Sequence, residues 1–169
     1  MTALVQPAPG WDVETWLNAP NPPDFASLRG RVVVALAFQM LCPGCVQMAL
    51  PQLQRVEAAF PRDQVAVVGL HTVFEHHEAM GIASLRAFAH EYRLGFPIGV
   101  DRPAPDGGAP MTMRRYGMRG TPTLLLIDRA GGLRRQAFGH VEDISLGAAI
   151  ASLLAEAPNS GCADGACAL

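Results

Sequence analysis

The 169-residue sequence is short of several things, and each shortage narrows its function. It has no excess of one charge: 13 Lys and Arg against 15 Asp and Glu leave a formal net charge of −2. That balance argues against nucleic acid or an anionic membrane as the main partner. No apolar run approaches the ~18 residues that a spanning helix needs. No basic residue precedes Arg29 and no apolar stretch opens the chain, so a signal peptide is not expected and the cytoplasm is the expected compartment. Four cysteines are too few for a secreted disulfide scaffold, and in a reducing compartment paired cysteines point to metal or redox chemistry. There are no internal repeats.

Apolar residues, in contrast, make up half the chain, enough for one domain with a full core. Residues 1–23, with "NAPNPP" at 18–23, read as an irregular lead-in anchored by Trp11, Trp16 and Leu17. Residues 24–157 read as the folded domain, and 158–169 as a flexible tail that carries Cys162 and Cys167. "RVVVALAF" (31–38) and "QVAVVGLHTV" (64–73) are apolar on both faces, as strands covered on both sides are. Helices are expected from Cys45 to Phe60, with a kink or break at Pro51, and over 83–92 and 143–157. A short strand at 96–100, a polar loop at 101–110, a helical segment near 111–116 and a hairpin of 123–128 with 133–139 around "RAGG" complete the order. This is an α/β chain with a mixed central sheet flanked by helices.

In such sheets, chemistry gathers beyond the carboxyl ends of the parallel strands. "LCPGC" (41–45) lies there, between the first buried strand and its helix. A sulfur at a helix N-terminus meets unpaired N–H groups and the positive end of the dipole, which favour the nucleophilic thiolate. On that placement Cys42 attacks a partner disulfide, and Cys45, a turn inside, resolves the mixed disulfide. Pro43 suits the first helical turn, where its missing N–H costs little. A zinc site would need a second ligand pair, and only Cys162 and Cys167 remain, with four residues between them. Those two read either as thiols of a frayed terminus or as a redox relay or metal clip.

"HTVFEHHEAM" (71–80) starts at the carboxyl end of the second strand, on the side of Cys42. His71, Glu75, His76, His77 and Glu78 are therefore candidates for proton transfer or metal binding, with a solvated loop as the plainer reading. His71 comes first among them as an acceptor for the Cys45 proton. His90 and His140 read as surface or structural groups, and Met40 and Met48 as packing.

"VVVALAFQMLCPGC" and "YGMRGTPTLLLIDRAGGLRRQAFGH" together resemble the thioredoxin fold, most closely the redoxin and TlpA/ResA-like thiol–disulfide oxidoreductases. The likeness covers roughly residues 24–156, and "VVGLHTVFEHHEAM…LRAFAHEYRLGFPIGVD" is similar to the strand–helix insertion of that group. It implies that Cys42 attacks, that Cys45 resolves, and that Pro122 is a cis-proline facing the dithiol. Thr121 before it would then offer its backbone to a substrate strand. Read alone, "GTPT" also fits a common trans turn. The sequence departs from the group in having Leu41 for Trp, Leu36 for thioredoxin's buried acid, Pro-Gly for Gly-Pro, and Pro51 about one residue late. Peroxiredoxins place Thr or Ser three residues before their reactive Cys, where Gln39 stands. The function implied is disulfide exchange without an organic cofactor, on a disulfide-bearing or dithiol protein or a small thiol, with a separate electron donor. The alternatives are a thiol-dependent peroxide-reducing redoxin and a metal-handling protein using Cys42, Cys45 and a histidine of 71–77.

Overall fold

A computed structural model describes residues 5–156. Its elements are β1 (Val13–Leu17), α1 (Phe25–Leu28), β2 (Val32–Phe38), α2 (Leu50–Ala59), β3 (Val65–His71), α3 (Ile82–Glu91), β4 (Ile98–Asp101), α4 (Met111–Arg115), β5 (Thr123–Ile127), β6 (Leu133–Phe138) and α5 (Asp143–Ala155). The strands form one mixed sheet in the order β1-β4-β3-β2-β5-β6. β2, β3 and β4 run parallel, while β1, β5 and β6 lie antiparallel to their neighbours.

β2 and β3 are buried at all seven positions each, which is why they read as unbroken apolar runs. Alternate residues feed two cores. Val34, Leu36 and Phe38 meet Leu50, Leu53 and Leu146 on one side; Val33, Ala35 and Ala37 meet Met113 and Tyr116 on the other. Each fully buried Leu or Phe contributes ~1.5–3 kcal/mol, and this packing seats α2 and α5 on the sheet. Asp101, buried at the end of β4, accepts the backbone N–H groups of Thr112 (2.7 Å) and Met113 (3.1 Å) and so holds the first turn of α4.

The lead-in is not irregular throughout. Val13–Leu17 forms β1, an edge strand antiparallel to β4. Its flanking prolines hid a pattern that tertiary packing selects: a Cβ on Gly99 would lie 2.8 Å from Val13, so only glycine lets β1 approach. Leu17 is buried, Trp11 packs on Trp16 and Phe25, and all three anchor the segment as expected. Upstream, Ala8 N–H donates to Gly131, Leu133 N–H donates to Gln6, and the Tyr116 hydroxyl donates to the Pro9 carbonyl. The segment therefore runs from the β5–β6 hairpin at one edge of the sheet to β1 at the other.

Pro51 does not kink a continuous α-helix. Cys45–Ala49 forms a π turn in which the Leu50 N–H reaches back to the Cys45 carbonyl, and α2 begins there with Pro51 in its first turn. A π turn accommodates one extra residue, in keeping with the late proline. It also corrects the reading of Met48: Cys45, Ala49 and Leu50 take the inward positions, and Met48 is left 44% exposed.

Candidate active site

Beyond Phe38 the chain turns through Gln39 and reaches Cys42, whose N–H donates to the Gln39 carbonyl at 3.2 Å. Cys42 is half-buried; Cys45 is fully buried. The Cys45 N–H points at Cys42 Sγ, 3.3 Å away, and the Cys42 carbonyl accepts the Val46 N–H at 3.0 Å. Cys42 thus occupies the opening of the helix, as its spacing implied, and the Cys45 N–H is a donor for charge that develops on its sulfur.

The Thr121–Pro122 bond is cis. The Cys42 thiol donates to the Thr121 carbonyl at 3.6 Å, and the Pro122 ring lies against Gly44, with Cδ 3.6 Å from where a Cβ would stand. Thr121 and Pro122 are therefore in the site with both cysteines. Burial, and after it the neighbouring Cys42 sulfur, pushes the Cys45 thiol up to about 12, while hydrogen bonds from the Gln39 backbone and the Thr121 side chain oppose the rise.

The histidine loop divides. His71 is 1% exposed inside the sheet, in register with Phe38, its ring 5.3 Å from the phenyl, and its Nε2 has no hydrogen-bond partner among the described residues. Burial pulls it down to about 4, so it is neutral at neutral pH and a weaker base than an ordinary histidine. That speaks against its use as the acceptor for Cys45. Glu75, His76, His77 and Glu78 are exposed. Of these, Glu75 alone is hydrogen-bonded into the site, through Gln39 Nε2 at 3.3 Å. Among the described residues no three His, Cys, Asp or Glu side chains converge as metal ligands, so the metal-handling reading finds no ligand set there. Cys162 and Cys167 lie outside the described residues. Gln39 was read only for the hydroxyl it lacks; its signal was a polar residue placed directly after seven buried ones.

The AhpC/TSA family model matches residues 5–136. The chain belongs to that family. A thioredoxin-like superfamily protein of known crystal structure is 58% identical over 90% of this chain and 98% of its own, with a TM-score of 0.88. A thiol-disulfide isomerase from Corynebacterium glutamicum is 43% identical over 89% of this chain and 98% of its own, with a TM-score of 0.85. A thioredoxin-like protein in the oxidised form, 22% identical over 90% of this chain and 97% of its own, shares the fold at a TM-score of 0.73. No curated protein sequence matches the chain. Family, fold and dithiol together make it a thioredoxin-like thiol–disulfide oxidoreductase of the redoxin class.

Proposed function

We propose that the chain exchanges disulfides with a disulfide-bearing or dithiol protein, with Cys42 attacking and Cys45 resolving. The asymmetry of the two sulfurs carries this reading: Cys42 is partly open and Cys45 is fully buried behind it. A substrate sulfur can reach only the first.

In the reducing direction the Cys42 thiolate attacks one substrate sulfur. A Cys42–substrate bond forms, the substrate S–S bond breaks, and the other sulfur leaves as thiolate. Deprotonated Cys45 then attacks Cys42 Sγ, the internal disulfide forms, and the second substrate thiolate departs. The substrate gains two electrons, and a separate thiol donor restores the dithiol. The reverse sequence places a disulfide in a dithiol substrate. Because burial holds the Cys45 proton, resolution should accelerate as pH rises through the neutral range. The Thr121 backbone, beside the cis-proline, is the place for an extended substrate strand.

The AhpC/TSA match also admits peroxide reduction. Gln39, a buried amide, stands where that chemistry has a hydroxyl, which supports exchange over peroxide reduction. The test uses full-length chains with Cys162→Ser and Cys167→Ser, offered insulin as the disulfide probe. Cys45→Ser should accumulate a mixed disulfide on non-reducing gels and Cys42→Ser should form none. Equal trapping by both variants, or rapid peroxide turnover through Cys42, would overturn the reading.

A further inference from the structure

We propose that Glu75 and Arg119 select and orient the substrate strand. The Glu75 carboxylate takes a basic residue on the amino side of the substrate cysteine, and the Arg119 guanidinium takes an acidic residue on its carboxyl side. The proposal rests on the reading that Cys42 attacks a substrate strand lying along Thr121.

The two charges flank the dithiol. β3, β2, β5 and β6 are successive neighbours in the sheet, and their register puts His71, Phe38, Thr123 and Phe138 at one end. β2 leads to Cys42, and Thr121 and Pro122 precede β5. Glu75 comes from the loop after β3. Arg119 lies on the far side, its guanidinium carbon 5.3 Å from the ring centroid of Phe138, the last residue of β6. With neighbouring strands ~4.8 Å apart, β3 and β6 are ~14 Å from each other.

Each charge is held by an uncharged partner. Glu75 Oε1 accepts Gln39 Nε2 at 3.3 Å, and the same nitrogen lies 3.4 Å from Thr121 Oγ1. Gln39 is 1% exposed and its Oε1 accepts the Phe74 N–H at 3.2 Å, so its nitrogen has to face Glu75. Across the site the Phe138 ring is 52% exposed and packs on Gly120, where a Cβ would lie 3.0 Å from it. The next residue, Gly139, donates its N–H to the Pro122 carbonyl at 2.8 Å, which fastens the end of β6 to the cis-proline. Arg119 rests on this ring as a cation on a π face. Among the described residues neither Glu75 nor Arg119 forms an ion pair. An amide and a phenyl ring fix a charge in place without neutralising it, so both charges stay available to a partner. His140, beyond β6, differs in facing Glu142 at 3.8 Å.

The direction follows from Thr121. The chain passes from Arg119 on the β6 side to Thr121, whose carbonyl lies 3.6 Å from Cys42 Sγ. A strand pairing with it antiparallel, the commoner arrangement, runs the other way, from the Glu75 side to the Arg119 side. Four residues of extended chain span ~13 Å. Charges two positions either side of the substrate cysteine therefore reach both groups. Lysine before and glutamate after are attracted, whereas the reverse order brings each beside its like.

The test uses the full-length chain with Cys45→Ser, Cys162→Ser and Cys167→Ser, and two blocked peptides, Lys-Ala-Cys-Ala-Glu and Glu-Ala-Cys-Ala-Lys. Each peptide is offered as its mixed disulfide with mercaptoethanol. The Cys42 thiolate attacks the peptide sulfur, a Cys42–peptide disulfide forms, the old S–S bond breaks, and mercaptoethanol leaves as thiolate. The rate of that adduct is read by mass spectrometry. The first peptide should react about tenfold faster at low ionic strength, and the difference should shrink to within about twofold in molar salt. Glu75→Gln and Arg119→Gln should each lower the ratio to about threefold, and Glu75→Lys with Arg119→Glu should invert it. Taking the ratio on one and the same chain cancels any change in thiol reactivity or folding. Equal rates in the parent chain, a preference for the second peptide, or a ratio that survives in the Glu75→Gln, Arg119→Gln double variant would overturn the proposal. If neither peptide joins Cys42, the exchange reading itself has failed. If both join it at equal rates, only the role of Glu75 and Arg119 falls.

Discussion

Two loops meet the dithiol end of the sheet, and they use it differently. The loop before β5 delivers Thr121 and Pro122 onto the cysteines directly, with the Thr121 carbonyl 3.6 Å from Cys42 Sγ. The loop after β3 holds two of the chain's five histidines, with a third at the end of the strand, yet it meets the site at Gln39, through Glu75 and the Phe74 N–H. His71 ends its strand with the side chain turned into the core beside Phe38. Past it the backbone turns at His76, whose φ of 49 folds the loop back so that Ala79 and Met80 donate to the His76 carbonyl. His76 and His77 are left outside. Sharing one end of a sheet therefore does not place two loops in one site; strand parity and local turns decide which side chains arrive.

The contrast can be broken most forcefully at Phe38, which lies between His71 and the rest of the core. Phe38→Ala should cost ~3–5 kcal/mol in denaturant unfolding, because the phenyl is fully buried. A loss below ~1 kcal/mol would mean that the β2–β3 packing described here is wrong.

A smaller effect belongs to His71. Its folded value of about 4 lies below its ordinary value of 6.5, so at intermediate pH the unfolded chain takes up a proton that the folded chain does not. Its contribution is complete above about 6.5 and is lost as pH falls toward about 4, by ~3 kcal/mol in all. Asp101, raised by burial, works in the opposite sense, so its contribution is lost as pH rises. Comparing the wild type with His71→Phe at each pH cancels Asp101 and isolates the histidine. Parallel stability–pH curves for the two chains would show that His71 titrates as an exposed group does.

The smallest effect should come from the outer histidines. His76→Ala and His77→Ala should leave both steps of disulfide reduction within about twofold, far short of what loss of a general base produces. A slowing of a hundredfold or more in either would join the loop to the chemistry after all.

The strands and the dithiol address were legible because burial on both faces writes itself as an unbroken apolar run, as in Val32–Phe38 and Val65–His71. The CPGC segment was legible from its place between strand and helix, and Thr121–Pro122 from the resemblance to the thioredoxin fold. β1 was not, because Val13–Leu17 owes its conformation to the space left at Gly99, eighty-odd residues away in the chain. Gln39 was passed over for a related reason: its three side-chain partners lie on two other segments of the chain. His71 was assigned to the site by its end of the strand, whereas register with Phe38 put its ring in the core.

The N-terminal segment has a mechanical consequence. Residues 6–9 are fastened to the hairpin and to Tyr116, and residues 13–17 are fastened to β4, so one stretch of chain laces together the two outermost strands. An open sheet usually frays at either margin independently of the other. Here the two margins are joined by one covalent stretch, and a single cut between residues 9 and 13 would uncouple them while leaving each half bonded to its own edge. Residues 6–17 thus act as a strap that couples the two borders of the sheet.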